Sequence, residues 1–282
     1  MIETVTVLSE LRQRIAGWKR AGDRIGFVPT MGNLHAGHQR LVELARQQAD
    51  RVVASVFVNP TQFGPSEDYS QYPRTPEAEA AGLEASGCDL LWLPSVSTMY
   101  PHGAEATVRV QVPGVTGVLE GAHRPGHFDG VATVVARLFN QVQPDLAVFG
   151  RKDYQQLAVI RYLVRDLAYP VELVAAETLR EPDGLAMSSR NQYLSAAERA
   201  VAPEIYRCLQ WMRSAVEAGM AAQEVEAAAE GRLLAAGFAP DYAVVRRPDL
   251  TLPAGQGQGP LVALIAARLG RTRLIDNLEL PG

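Results

Sequence analysis

Two histidines three apart, His35 and His38, lie inside the run Thr30-Met-Gly-Asn-Leu-His-Ala-Gly-His-Gln-Arg40. Imidazoles so placed can donate hydrogen bonds to phosphate oxygens and stabilise the charge that grows in a phosphoryl or nucleotidyl transfer. A spacing of three puts them on one face of a helical first turn. A bare His-x-x-His pair also arises by chance in unrelated helices, so its context decides its meaning. The apolar run Ile25-Gly-Phe-Val28 precedes the pair and the helical pattern Leu41, Leu44, Ala45 follows it. Gly32, Gly37 and both histidines therefore fall where a strand hands over to a helix. Helix starts present unpaired amides and the positive end of the helix dipole, and glycines let a bulky anion approach closely. A metal site is the weaker alternative, since no third His or Cys is near and the glutamate of the zinc-protease helix is missing.

Further along, Gly150-Arg151-Lys152-Asp153 directly follows the apolar run Leu146-Ala-Val-Phe149. A lysine at such a turn reaches phosphate as a compact cation, and Asp153 can cap the helix or orient the lysine. Surface charge at a helix start is the plain alternative. Gln156 lies one turn on, facing the same side as Lys152. Leu185-Ala-Met-Ser-Ser-Arg-Asn191 follows the turn signal Pro182-Asp183-Gly184. Its hydroxyls and arginine suit a loop that closes over phosphates, or else a solvated loop beside a cap. The capping box Ser195-Ala-Ala-Glu198 marks the next helix start and leaves Ser188 and Ser189 without a capping role.

Two loops complete the polar inventory. Glu120 to Gly130 contains Arg124, His127 and Asp129, which either shape a pocket wall or hold a long loop together. Its helix should begin near Val131. Pro60-Thr-Gln-Phe-Gly64 and Asp68 to Thr75 form a polar, aromatic loop in which Gln62 can both donate to and accept from a hydroxy acid, although a loop glutamine is commonly just solvated.

These segments need a scaffold that brings them to one rim. From Arg24 to about Ala175, apolar runs alternate with helical patterns, the signature of strand-helix-strand units and a parallel sheet. The strands read as Ile25–Val28, Val52–Val58, Leu90–Leu93, Leu146–Phe149 and Val171–Val174. The helices between them read as His38–Gln48, Glu77–Ala85, Val131–Gln141 and Asp153–Asp166. Right-handed crossovers place the strand C-termini along one edge, where open α/β sheets bind ligands. Met1 to Gly22 has helical spacing and resembles an amphipathic helix, not a secretory signal. After Glu177, alanine-rich helices (Ala197–Gly219, Ala222–Gly237) lead to strands at Tyr242–Val245, Leu261–Ala266 and Arg273–Asp276, with a Gly/Pro/Gln turn at Pro253–Pro260. The fold class is thus α/β, a Rossmann-like doubly wound parallel sheet over 1–177 with a smaller α+β C-terminal domain over 178–282.

Composition fits a globular protein, with 47% hydrophobic and 21% charged residues. A net charge of −4 over 282 residues argues against a general nucleic-acid binder, and no apolar run is long enough to cross a bilayer. Cys88 and Cys208 lack a CxxC partner and read as buried free thiols of a reducing cytoplasm. No Gly-x-Gly-x-x-Gly follows the first strand, which disfavours a dinucleotide-dependent dehydrogenase.

Five motifs in one order resemble the pantoate–β-alanine ligase family, a branch of the superfamily of nucleotidyltransferases and class I tRNA synthetases. They are Pro29 to His38 as the "HIGH"-type motif, Val58-Asn-Pro-Thr-Gln-Phe63, Glu120-Gly to Gly126-His-Phe128, Phe149-Gly-Arg-Lys-Asp-Tyr-Gln-Gln-Leu157 and Met187-Ser-Ser-Arg-Asn191 as the "KMSKS"-type loop. The resemblance implies an AMP-forming ligase that condenses pantoate with β-alanine through a pantoyl adenylate, with ATP as co-substrate and Mg²⁺ on its phosphates. By matching position, Met31, Gly32, Asn33, Leu34, His35, Ala36, Gly37 and His38 would bind ATP, with His35 and His38 stabilising charge. Gly150, Arg151, Lys152 and Asp153 would line the adenosine and phosphate site, with Lys152 on phosphate. Met187, Ser188, Ser189 and Arg190 would close over the phosphates. Gln62 and Gln156 would hold pantoate, and Gln62 would also touch β-alanine. No protein ligand for Mg²⁺ follows, and a homodimer is implied. A nucleotidyltransferase acting on a phosphorylated acceptor is the competing reading; a tRNA synthetase is disfavoured, since the sequence shows neither an anticodon-reading domain nor a basic surface. Two positions depart from the family pattern. Arg151 stands where relatives often carry an acidic residue or lysine, and Ala186 where some carry a basic residue.

Overall fold

The computed structural model describes residues 2–64, 69, 72, 75–253 and 259–280. Asp68, Ser70, Gln71, Pro73 and Arg74 of the aromatic loop, and 254–258 of the Gly/Pro/Gln turn, lie outside the described residues. The chain divides into two compact units, Met1–Gly150 with Val159–Glu177 and Arg151–Ala158 with Thr178–Gly282. The short segment Arg151–Ala158 thus groups with the C-terminal unit and not with the strand it follows.

In the first unit the elements run β1 (Glu3–Val5), α1 (Leu8–Ala21), β2 (Ile25–Thr30), α2 (Ala36–Arg46), β3 (Arg51–Val56), α3 (Pro76–Ala85), β4 (Leu90–Trp92), α4 (Val96–Met99), α5 (Glu120–His123), α6 (His127–Val142), β5 (Leu146–Gly150), α7 (Tyr154–Asp166) and β6 (Glu172–Ala176). The first turn of α7 groups with the second unit. All six strands are parallel, in the order β1-β4-β3-β2-β5-β6. Ile25, Phe27, Val28, Val52, Val53 and Ala54 are buried, which explains the near-continuous apolar runs of the central strands. Phe139 packs edge-on against Phe27, Phe149 and Tyr169 beneath the sheet.

The N-terminus corrects the expectation of one amphipathic helix over Met1–Gly22. Residues Glu3–Val5 form an edge strand, with Glu3 aligned to Leu90 and Val5 to Trp92, before α1 begins at Leu8. A three-residue edge strand has no period of its own to read; its partner specifies it. A second correction concerns α6, which starts at His127, four residues before Val131, because Gly126 takes the left-handed conformation at the N-cap.

The strand order places a topological switch point between β2 and β5. From β2 the chain goes to β3 and β4 on one side, then returns to β5 and β6 on the other. Ligands of doubly wound sheets bind outside the strand C-termini at that point. Two of the motif segments leave the sheet there: Met31 onward from β2 and Arg151 onward from β5.

The second unit contains α8 (Ala196–Val201), α9 (Glu204–Glu217), α10 (Ala222–Ala235), β7 (Ala239–Arg246), β8 (Leu261–Leu269) and β9 (Thr272–Leu280). Its strands form an antiparallel sheet in the order β7-β8-β9. Leu209 and Met212 of α9, Val225 and Leu233 of α10, and Val245 and Ile265 of the sheet make its core. The single helix expected over Ala197–Gly219 is two helices. Pro203, with no N–H to donate, lies between them, and Glu204 opens the second. Among the described residues no helix is long and apolar enough to cross a membrane.

Candidate active site

In the first unit, the histidine motif is a helix start built from its own side chains. His35 is the N-cap of α2 and precedes the helix, rather than sitting on its first turn as the spacing suggested. Its Nδ1 accepts from the Gly37 amide at 3.1 Å, while the His35 amide donates to Nδ1 of His38 at 3.3 Å. This is a capping box made of two imidazoles, with ring centroids 4.2 Å apart. A neutral imidazole that accepts at Nδ1 carries its proton at Nε2. Both rings are therefore held in the tautomer whose Nε2–H donates, which is what stabilising an oxyanion requires.

The turn before this cap is braced by a residue the sequence did not single out. Gly32 has φ +87° and Asn33 φ 53°, so the chain reverses through the left-handed region. A β-carbon at Gly32 would sit 2.6 Å from Oε1 of Glu79. That oxygen accepts from the Asn33 amide at 2.8 Å and from the Thr75 hydroxyl at 3.3 Å, and Glu79 is buried. Leu34 packs on the core that contains Val28, Val42 and Ala45. A cavity of about 320 Å³ opens beside the turn, lined among others by Met31, Val56, Val58, Leu93 and Val96.

Gln62 closes the 3-10 turn Pro60–Gln62 and is buried, not solvated. Its Oε1 accepts from Nδ2 of Asn59 at 3.1 Å and its Nε2 donates to the Met31 sulfur at 2.8 Å, so the amide's orientation is fixed. Asn59, also buried, donates to the Gly130 carbonyl as well and accepts from the Thr61 and Tyr100 hydroxyls. Burial pushes the Tyr100 phenol up, which keeps it a donor. The main chain of Gln62 is held from α6: Nδ1 of His127 lies 2.8 Å from its carbonyl, and Nε2 lies 3.1 Å from Arg124, which pairs with Glu120 at 3.5 Å. Arg124 and His127 thus fasten the loop. Asp129 accepts from Gln111 at 3.0 Å. Gly130 explains the close approach, because a β-carbon there would stand 2.4 Å from the Thr61 carbonyl oxygen.

In the second unit, Arg151–Asp153 form a 3-10 turn, with Lys152 Nζ 3.8 Å from Asp153 Oδ1. The Arg151 and Lys152 carbonyls each accept from Nδ2 of Asn277 on β9 at 2.9 Å. Arg151, one of the departures from the family pattern, pairs with Glu279 at 2.6 Å. Gln156 is half-buried in the first turn of α7. Ala186, the other departure, is buried and its carbonyl accepts from the Asn191 side chain at 3.1 Å.

Ser188, contrary to the expectation, is a cap: its hydroxyl accepts from the Arg190 amide at 3.3 Å and opens the 3-10 helix Ser189–Tyr193. The Ser195–Glu198 capping box forms as read. Lys152, Ser188, Arg190 and Asn191 line one cleft, together with Arg273. Two segments separated in sequence are thereby brought to one cleft. The residues that sequence reasoning missed are Glu79, Asp276 and Asn277. The last two carried a signal, an Asp-Asn pair inside an apolar strand.

Comparison with known proteins adds the chemistry. The profile of the family described as pantoate-beta-alanine ligase matches residues 3–279. The pantothenate synthetase of Stenotrophomonas maltophilia (strain K279a) is 64% identical over 279 residues, 99% of this chain and 100% of its own. That of Xanthomonas axonopodis pv. citri (strain 306) is also 64% identical over 279 residues, with the same coverage. The crystal structure of pantothenate synthetase from Thermus thermophilus superposes with TM-score 0.92 at 50% identity, covering 100% of both chains. The pantoate-beta-alanine ligase of Francisella tularensis, crystallised with beta-gamma ATP and beta-alanine, gives TM-score 0.81 at 30% identity, covering 99% of this chain and 97% of that one.

Proposed function

Because this chain belongs to the pantoate–β-alanine ligase family and joins those two substrates, we propose that it does so in two ATP-driven steps through a pantoyl adenylate. In the first, a pantoate carboxylate oxygen bonds to the α-phosphorus of Mg·ATP, the bond to the bridging oxygen breaks, and pyrophosphate leaves. In the second, the neutral amine of β-alanine attacks the acyl carbon of the mixed anhydride. AMP departs with the anhydride oxygen, and the amine loses a proton. No nucleophilic side chain is needed; the protein supplies position and electrostatic stabilisation.

The observation that carries this reading is the double-imidazole cap at the switch point. It fixes Nε2 of His35 and His38 as donors for the charge that grows on the α-phosphate. Met31 to His38 bind ATP with the help of the α2 amides. Gly150 to Asp153 contact adenosine and phosphate, and Lys152 and Arg190 carry the positive charge. Met187 to Ser189 close over the phosphates, where the Ser188 cap leaves the Arg190 amide already engaged. Gln62 and Gln156 hold pantoate, and Gln62 also meets β-alanine; its fixed amide supports that role. The first unit supplies the Met31–His38 turn and Gln62, the second Arg151 to Asp153, Gln156 and the Met187–Arg190 loop. The enzyme acts in the cytoplasm as a homodimer, which light scattering in solution checks.

Single-turnover assays with Mg·ATP and pantoate, with and without β-alanine, test the mechanism. Pyrophosphate released with pantoate alone, followed by AMP only once β-alanine is added, is the expected sequence. ADP and inorganic phosphate as products would instead require an acyl phosphate and sink the adenylate.

A further inference from the structure

We infer that Asn277 is a positioning residue that sets Lys152 from β9, beside the Arg180–Asp276 pair that holds the turn leading into the Ser188–Arg190 segment. The inference rests on the phosphate roles proposed above for Lys152 and Arg190.

Asp276 and Asn277 are adjacent on a strand yet both buried, aligned with Ile265 and Leu264 of β8. Buried polar side chains destabilise unless hydrogen-bonded; here the Asn277 side chain donates to the segment that carries Lys152, and Asp276 is held by Arg180 and by the Asn277 main-chain amide. A primary amide has two N–H donors. Asn277 gives one to the Arg151 carbonyl and one to the Lys152 carbonyl, both at 2.9 Å. Successive carbonyls in a helical turn point the same way, which is what lets one amide reach both. The turn carrying Lys152 is therefore held by its main chain, leaving the ammonium to face the cleft.

Asp276, next to Asn277 on the strand, holds the other segment through Arg180. The Asp276 carboxylate accepts from the Asn277 amide at 2.8 Å and takes Arg180 in a two-bond fork at 2.6 and 3.0 Å. Arg180 also donates to the carbonyls of Gly184 at 3.1 Å and Asn277 at 3.3 Å, with its guanidinium 3.8 Å from the Tyr206 ring centroid. Gly184 closes the turn that returns the chain through Ala186, bridged to Arg180, into Met187. Lys152 at one end and Ser188 and Arg190 at the other then line one cleft. Displacing a charge by about 1 Å from a developing oxyanion can cost on the order of a hundredfold in rate, so this anchor is set to act on catalysis and not only on folding.

A double-mutant cycle on the full-length enzyme tests this, read as pantoate-dependent pyrophosphate release at saturating Mg·ATP. Asn277→Ala is expected to lower that rate at least about tenfold, while the KM for β-alanine stays unchanged. If the effect travels through Lys152, the double variant Lys152→Ala/Asn277→Ala will be no slower than Lys152→Ala alone. Should Asn277→Ala fail to fold, Asn277→Ser retains one donor and is expected to give an intermediate rate with the same non-additivity. An unchanged rate in the Asn277 variants overturns the inference, as do losses that multiply in the double variant. A wild-type rate in Lys152→Ala would instead overturn the proposed role of Lys152, and the inference with it.

Discussion

The amide and imidazole that fix the histidine turn are three residues apart, whereas the side chain that holds the Lys152 carbonyl comes from 125 residues away. In the first unit the functional groups are their own scaffold: His35 caps α2, and His38 in turn accepts from the His35 amide. In the second unit scaffold and proposed functional group are separate, with Asn277 holding the turn of Lys152 and Asp276, through Arg180, the turn before Ser188. A self-capping motif couples activity to local stability. A remotely anchored one lets the two be altered independently.

The largest effect expected from breaking this comparison lies at the anchor. Arg180→Ala leaves the Asp276 carboxylate, 1% exposed in a pair whose arginine is 17% exposed, without its counter-charge. Removing one partner of such a buried pair costs about 3–5 kcal/mol, which urea unfolding of the second unit will register. Next comes the contrast between His38→Ala and Lys152→Ala. Each should lose about 2 kcal/mol or more of transition-state stabilisation in the adenylation rate. Only His38→Ala should also lower the melting temperature, since it removes the bond its ring accepts from the His35 amide, worth about 0.5–1.5 kcal/mol. Equal thermal stability in the two variants would erase the distinction drawn here. Gly130→Ala probes the first unit where no charge is involved. Its methyl group meets the Thr61 carbonyl at 2.4 Å, so the turn must move and take Gln62 with it. Overpacking of this kind costs about 1–3 kcal/mol, and the KM for pantoate should rise in parallel. The smallest effect is a null shared by both units. Burial pushes the Cys88 thiol up to about 12 and that of Cys208 up to about 11, so both stay protonated at neutral pH. Iodoacetamide should leave the native enzyme active and unlabelled, and mark both thiols after denaturation.

The same contrast explains what could be read from the chain. β2, the glycine turn and the α2 cap are contiguous, so local pattern placed β2 and α2 to within two residues of their observed ends. The central strands were legible because burial on both faces leaves continuous apolar runs. β1 was not, since its three residues acquire meaning only beside Leu90–Trp92. Glu79 was hidden for a related reason: on α3 it looks like an ordinary helix acid until the Asn33 amide arrives from another part of the chain. Ser188 was misjudged because its cap opens a 3-10 helix, which leaves almost no periodicity. Asp276 and Asn277 were passed over because the expected strand stopped at Asp276; the folded chain carries β9 on to Leu280 and shows what the pair holds.

Arg151 and Glu279, 128 residues apart, face each other at 2.6 Å. An acid at position 151 would set a like charge against this glutamate. The turn after β5 and the end of β9 therefore share one local charge balance, though they are remote in the chain. A chimera that exchanges the C-terminal strand also exchanges the partner of Arg151.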